Sequence, residues 1–368
     1  MIAAGAEAVP LGIPGEQHLI TNEGFLELES LPERIVLVGG GYIAAEFSHI
    51  AARAGAQVTI LQHGKRMLKQ FDPDLVGWLM DKFSERGINV RTQAGVTAIE
   101  KVSDGYRVRA DCPDGELDMD ADLVVHAAGR APALATLDLD AGSVKHHNGR
   151  LALNGFLQSV SNPAVYAAGD AAGLGPPLTP VSSHDAKVVS ANLLNGNTVR
   201  PEYTGVPSVA FTIPPIAAVG MSEAKAREKG LNVRVKTERV DGWFTARQQA
   251  ETVYGFKTLV DADTDRILGA HLVGPHADEV INIFALAIRQ GLTAEQLKTT
   301  MFAYPSGRVR YRRDALSVSE VVDRYGRGAV CTKEIPSPVA FGSLSSRKNH
   351  EPQCEEQPSR YSRVSHPF

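Results

Sequence analysis

Residues 33–62, "ERIVLVGGGYIAAEFSHIAARAGAQVTILQ", decide the fold. Ile35 to Val38 is a continuous apolar run, Gly39-Gly40-Gly41 a glycine turn, Ala44 to Ala54 a stretch of small and apolar residues at helical spacing, and Val58 to Leu61 a second apolar run. Strand, turn, helix and strand within about thirty residues is the length of a βαβ unit. The turn reads GxGxxA over Gly39, Gly40, Gly41, Tyr42, Ile43 and Ala44. Gly39 permits the tight turn, Gly41 lets a pyrophosphate approach the backbone, and Ala44 lets the helix pack close to the sheet. The N–H groups of the helix start then face the phosphates. A glycine turn made only for packing is the bland alternative, and the flanking strand and helix argue against it.

The end of the second strand discriminates between nicotinamide cofactors. An NAD site places a carboxylate there for the ribose 2′-hydroxyl, but this chain has Gln62, then His63, Lys65 and Arg66. Cations without an acid favour a 2′-phosphate and hence NADP, with NAD the other possibility. "HGKR" is otherwise an ordinary solvated loop.

Outward from this unit, "DPDLVGWLMDKFSERGI" is predicted as an amphipathic helix with Leu75, Leu79 and Phe83 on one face. "ADLVVHAAGR" and "PAVYAAGDAAG" read as buried strands with glycine exits, and "LTPVSSHDAKVVSANLL" as a helix. The opening "MIAAGAEAVPLGIPG" reads as the end of a buried strand and its exit loop. Beyond about Gly205 the texture changes. "YGFKTLVDADTDRILGAHLVG" alternates as a hairpin turning near Asp263–Asp265, and "HADEVINIFALAIRQG" is a helix, which together suggest a separate α+β domain.

Composition narrows the function classes. A chain of 368 residues, 43% apolar and 22% charged, has room for two or three domains. A net charge of -4 gives no general attraction to nucleic acid or anionic membrane. The arginines at 308, 310, 312 and 313 lack interleaved aromatics, so a nucleic-acid partner is not expected. Apolar stretches are short and broken by proline, so no membrane span is expected. Cys112, Cys331 and Cys354 have neither redox nor metal spacing, and a reducing cytoplasm is the expected compartment. No dithiol is available, so disulfide reduction by this chain is not expected.

The motifs "IAAGA…P…IPG", "GGGYIAAE", "HAAGRAP", "VYAAGDAAG" and "LTPV" occur in the order found in the pyridine nucleotide-disulfide oxidoreductases. These are flavoproteins of the glutathione reductase, dihydrolipoamide dehydrogenase and mercuric reductase type. "FTIPPIAAVGMSE" and "GAHLVGPHADEVINIFALAI" resemble that family's C-terminal dimerisation domain, and the resemblance covers roughly 1–307. It implies an α/β fold: Rossmann-like FAD- and NAD(P)-binding domains followed by an α+β dimerisation domain. The implied division is 1–32 as a remnant of the FAD-binding domain with its connector, 33–128 as the NAD(P)-binding domain, and 129–204 as the second part of the FAD-binding domain. Residues 205–307 are expected to form the dimerisation domain, and 308–368 to be a disordered tail.

The resemblance implies FAD and NAD(P)H as cofactors, hydride transfer from NAD(P)H to FAD and on to a small electron acceptor, and a homodimer. Glu46 would lie near the nicotinamide–flavin contact, and Val96 and Gly129 would complete the NAD(P) site. Asp170, in "AAGDAA", would hydrogen-bond the ribityl chain of FAD, with Gly169 and Leu178 beside it. The helix starting at Thr179-Pro180 would aim its positive end at the flavin pyrimidine edge.

Departures from the family shape further expectations. Its members begin with an FAD-binding GxGxxG unit and a CxxxxC pair, both upstream of the strand where "MIAAGA" falls. The chain is therefore expected to be incomplete, and a non-catalytic, dimerising NAD(P)H-binding fragment is the alternative reading. Tyr304-Pro305 stands where many members carry His-Pro, which makes Tyr304 a candidate catalytic residue with Glu46, although a phenol near pKa 10 is a poor proton shuttle at neutral pH. The "FAYP" branch continues in the style Ala-Ser-Asp-Ile, whereas this chain reads Arg308-Val309-Arg310-Tyr311. One permitted codon set for 308–315 restores Ala-Ser-Asp-Ile when a single base is dropped, so the tail is expected to be a frameshift product that does not fold.

Overall fold

A computed structural model describes residues 1–303. The expectations for Tyr304, for Cys331 and Cys354, and for the tail after Gly307 lie outside the described residues. The chain enters through β1 (Ala6–Ala8) and a short helix α1 (Asn22–Leu26). The Glu33–Gln62 stretch then folds as read: β2 (Arg34–Val38), α2 (Tyr42–Arg53) and β3 (Gln57–Gln62). Ala44, Ala45 and Ala51 are fully buried, which lets α2 lie close on the sheet. Helix α3 (Pro73–Glu85) has Asp72 as N-cap, accepting from the Asp74 N–H at 3.0 Å, and Pro73 in its first turn. Leu75, Leu79 and Phe83 form its buried face, as the periodicity predicts.

Strand β4 (Asn89–Thr92) follows, then a meander of β5 (Gly95–Val102), β6 (Gly105–Cys112) and β7 (Gly115–Ala121), and then β8 (Leu123–His126). The parallel sheet has the order β4-β3-β2-β8, with β2 between β3 and β8, so its apolar run is covered on every side. The antiparallel order β5-β6-β7 was not foreseen as a sheet, although the Asp104-Gly105 and Asp114-Gly115 turns signal it. Its inner side chains Ile99, Val108, Ala110 and Ala121 are buried, while its outer face carries Arg107–Asp120 and Arg109–Asp118 pairs at 3.2 Å.

Strand β9 (Arg130–Pro132) returns antiparallel to β1, and the two chains cross together between the parallel sheet and the next region. That region carries a small ladder of β10 (His146–His147) and β11 (Arg150–Leu151), then α4 (Thr179–Asn195). Two expectations need correction here. The 163–173 segment is not a strand: Tyr166 and Ala167 make single bridges to Gln158 and Ile2, and Gly169–Ala171 turns as 3-10 helix. The opening apolar run is likewise one bridge at Ile2, and regular pairing starts only at Ala6, after Gly5.

The last region contains β12 (Ser208–Ala210), β13 (Ile216–Gly220), α5 (Glu223–Glu228), β14 (Val233–Arg239), α6 (Phe244–Gln248), β15 (Gly255–Asp261), β16 (Ile267–Val273), α7 (Ala277–Gln290) and α8 (Ala294–Thr299). Its antiparallel sheet has the order β12-β13-β16-β15-β14. Ala217, Phe256 and Leu272 pack with Val280 and Phe284 of α7 on one face. Ile216 and Val273 share a core with Leu75, Leu79 and Phe83 on the other, so α3 is packed as closely to this sheet as to its own.

Candidate functional site

A cleft of about 1020 Å³ opens where β2 and β3 end, large enough for an extended cofactor. Gly39, at φ 114°, makes the turn out of β2, and a Cβ there would meet the Ala127 carbonyl oxygen at 2.2 Å. The position is closed to any other residue. Gly41 is different: a Cβ would find nothing closer than the Ala127 oxygen at 4.0 Å, because Gly41 faces the open cleft. Gly41 is also the N-cap of α2. The first-turn N–H groups of a helix have no intrahelical acceptor, so this turn offers an anion cradle.

Tyr42, Ile43, Gln62, His63, Val96 and Gly129 line the same cleft, while Ala44 is buried beneath the helix. Lys65 and Arg66 do not line it. Lys65 is exposed on the loop, and the Arg66 guanidinium donates to the carbonyls of Lys69 (2.8 Å) and Phe71 (3.2 Å). Arg66 thus braces the loop from within. Arg130 of β9 lines the cleft, and on this loop the cation that does so is Lys69, which the sequence does not single out. It sits seven residues past the strand end, too far for the strand-end rule to find.

Glu46 also lines the cleft, and its Oε1 accepts from the Phe211 N–H at 2.9 Å, joining α2 to the segment after β12. Burial pushes the Glu46 carboxyl above its usual range, partly offset by that hydrogen bond. Burial likewise pushes the Tyr42 phenol up, hydrogen bonds to Ser208 and Gln70 oppose this, and the nearby Glu46 charge adds to it.

Asp170 and Leu178 close the opposite wall. The Gly169 N–H donates at 3.0 Å to Asp185 of α4, a fully buried carboxylate that also accepts from the Tyr203 hydroxyl at 2.8 Å. This fixes the turn that carries Asp170. Thr179 and Pro180 form the exposed first turn of α4, next to Leu178. Residues proposed for two different cofactors therefore meet in one cleft.

Two family models match the chain: "Pyridine nucleotide-disulphide oxidoreductase" over residues 1–186, and the dimerisation domain of the same family over residues 206–312. The chain belongs to the pyridine nucleotide-disulphide oxidoreductase family. Its fold is that family's α/β nucleotide-binding arrangement followed by a dimerisation domain. A mercuric reductase of Staphylococcus aureus is 34% identical over 83% of this chain and 56% of its own length. An uncharacterized 19.7 kDa protein of a mercuric resistance operon in the same organism is 48% identical over 46% of this chain and 95% of its own length. Among solved structures, the HOCl-induced flavoprotein disulfide reductase RclA of Escherichia coli aligns with a TM-score of 0.78 at 29% identity, covering 87% of this chain and 73% of that one. The chain spans about half the length of the mercuric reductases it matches. Among the described residues, no helix is long and apolar enough to cross a membrane and no cluster of metal-ligating side chains occurs.

Proposed function

We propose that the cleft binds NAD(P)H, with NADPH preferred, and that the chain serves in NAD(P)H-dependent, FAD-linked oxidoreduction as part of a homodimer. The observation that carries this reading is Gly41, a helix-capping glycine whose missing side chain leaves room for a pyrophosphate. His63 and Lys69 at the adenosine end, with Gln62 in place of an acid, suit a 2′-phosphate. Glu46 and Tyr42 lie deeper in the cleft and would position the nicotinamide, with burial holding the Glu46 carboxyl above its usual range.

The far wall fits the flavin's ribityl side. Asp170 supplies an acceptor on a turn fixed by Asp185, and α4 begins beside it at Leu178–Thr179. Held there, FAD would supply hydride acceptance from the nicotinamide and electron transfer to an acceptor. The three scattered cysteines fit a reducing cytoplasm.

Cofactor choice is tested by titrating NADPH and NADH into the Lys69→Ala variant. Loss of one charge-assisted contact of about 1.5–3 kcal/mol should weaken NADPH at least about tenfold and leave NADH within about twofold. Arg66→Ala should also weaken NADPH more than NADH, because Arg66 holds the loop that presents Lys69 and His63. Equal loss of both nucleotides on removing Lys69 would count against a 2′-phosphate site.

Flavin retention is a second test. The described residues contain one glycine turn of this kind between a strand and a helix. The purified polypeptide of residues 1–368 is therefore expected to bind one NADPH and to hold FAD only weakly, since a pyrophosphate cradle supplies much of dinucleotide affinity. Micromolar or tighter FAD binding in calorimetry would contradict this.

A further inference from the structure

Helix α3 is tied to the dimerisation-domain sheet at both ends by a buried lysine. At its start, Lys257 of β15 reaches Asp72 Oδ2 at 3.0 Å, Asp74 Oδ2 at 2.6 Å and Glu223 Oε2 at 3.4 Å. Its side chain is only 4% exposed and that of Asp72 1%. At its end, Lys82 meets Glu85 Oε2 at 2.7 Å, Glu251 Oε1 at 2.9 Å and Thr252 Oγ1 at 2.8 Å. Between them the Trp78 ring lies on Gly255, where a Cβ would come within 2.4 Å of it.

Asp72 has a second role. It caps α3 and also ends the loop that leaves β3 and carries His63 and Lys69 to the cleft. That loop is fixed at its near side by the Leu68 N–H, which donates to the Gly40 carbonyl at 2.7 Å, and internally by Arg66. Its far end is held by Asp72, and Asp72 is held by Lys257.

We infer that Lys257 is a positioning residue for the nucleotide-selecting loop: through Asp72 it sets where His63 and Lys69 stand, so that the dimerisation-domain sheet supports cofactor choice from behind. This rests on reading the cleft as the NAD(P) site. The ammonium neutralises a carboxylate that water cannot reach. Without it Asp72 is left a buried carboxylate with no counter-charge, which loosens the cap and the loop end. Asp74 and Glu223, more exposed, lose little by comparison.

The test compares the full-length Lys257→Met and Asp72→Asn variants with the parent by hydrogen exchange and by NADPH and NADH titration. Lys257→Met should speed amide exchange at Leu68, Phe71 and Asp74 by about tenfold or more while leaving α7 protected as in the parent. It should weaken NADPH about tenfold and NADH no more than about twofold. Asp72→Asn, which keeps a cap acceptor on α3 but removes the charge that Lys257 holds, should shift both readouts in the same direction by about threefold. Unchanged exchange in the loop overturns the inference, and so does equal acceleration in α7, because Lys257 would then support the fold as a whole. If Lys257→Met does not fold, unchanged loop exchange in Asp72→Asn overturns it. A parent protein that binds neither nucleotide overturns the reading of the cleft instead, so the two failures are separable.

Discussion

Replacing Gly41 by valine is expected to weaken NADPH binding by about 100-fold or more while the protein stays folded, with a melting temperature lower by only a few degrees for the poorer N-cap. The Gly41 backbone sits at φ -91°, which any residue adopts, and its Cβ position is open. The added methyls would stand where the phosphates approach. They would remove at least two charge-assisted N–H contacts of about 1.5–3 kcal/mol each, and about 2.7 kcal/mol is already 100-fold. Gly39→Ala makes the contrast. It forces a Cβ to 2.2 Å from a carbonyl oxygen at a positive φ, so it should damage the fold itself. Calorimetric titration beside thermal unfolding separates the two. Normal NADPH affinity in the valine variant would mean that no pyrophosphate passes Gly41.

Acid should destabilise this protein through His49. The residue lies in α2, is 1% exposed, meets the Phe83 ring edge-on at 4.5 Å, and has no hydrogen-bond partner for either ring nitrogen. Burial, reinforced by the charges of Arg86, Arg53 and Lys82, lowers its pKa from 6.5 to about 4. The unfolded chain then binds the proton more readily than the folded one below pH 6.5. Neutral His49 contributes stability in full above pH 6.5, loses it between 6.5 and about 4, and contributes none below. The difference is about 3 kcal/mol, a large share of a typical folding free energy. His49→Phe keeps an aromatic ring against Phe83 without nitrogens to leave unpaired. It should flatten the stability profile between pH 6.5 and 4 and stabilise the protein at pH 5. Urea unfolding at several pH values decides this, and parallel profiles for the two proteins would rule His49 out as the source.

The βαβ unit was legible because its signals are local: an apolar run, three glycines, small residues at helical spacing. Glu46 and Asp170 were legible through the motifs that contain them, and the structure brings both to one cleft. Lys65 and Arg66 were chosen for proximity to the strand end. Backbone geometry instead turns Arg66 onto loop carbonyls and brings forward Lys69. The three-stranded meander was missed because charged residues dominate its outer face and hide the alternation beneath. Lys257 could not have been found at all: it stands in a strand pattern, and Asp74 lies 183 positions away in sequence. His49 likewise reads as a polar interruption on a helix until its surroundings are known.

The central claim is that the cleft at Gly41 is a nicotinamide-nucleotide site. The most direct measurement is calorimetric titration of NADPH into the full-length protein and its Gly41→Val variant under identical conditions. Saturable binding of one NADPH per chain to the parent and no measurable heat from the variant are the expected results. Absence of saturable binding to the parent, or equal binding to both, would contradict the claim.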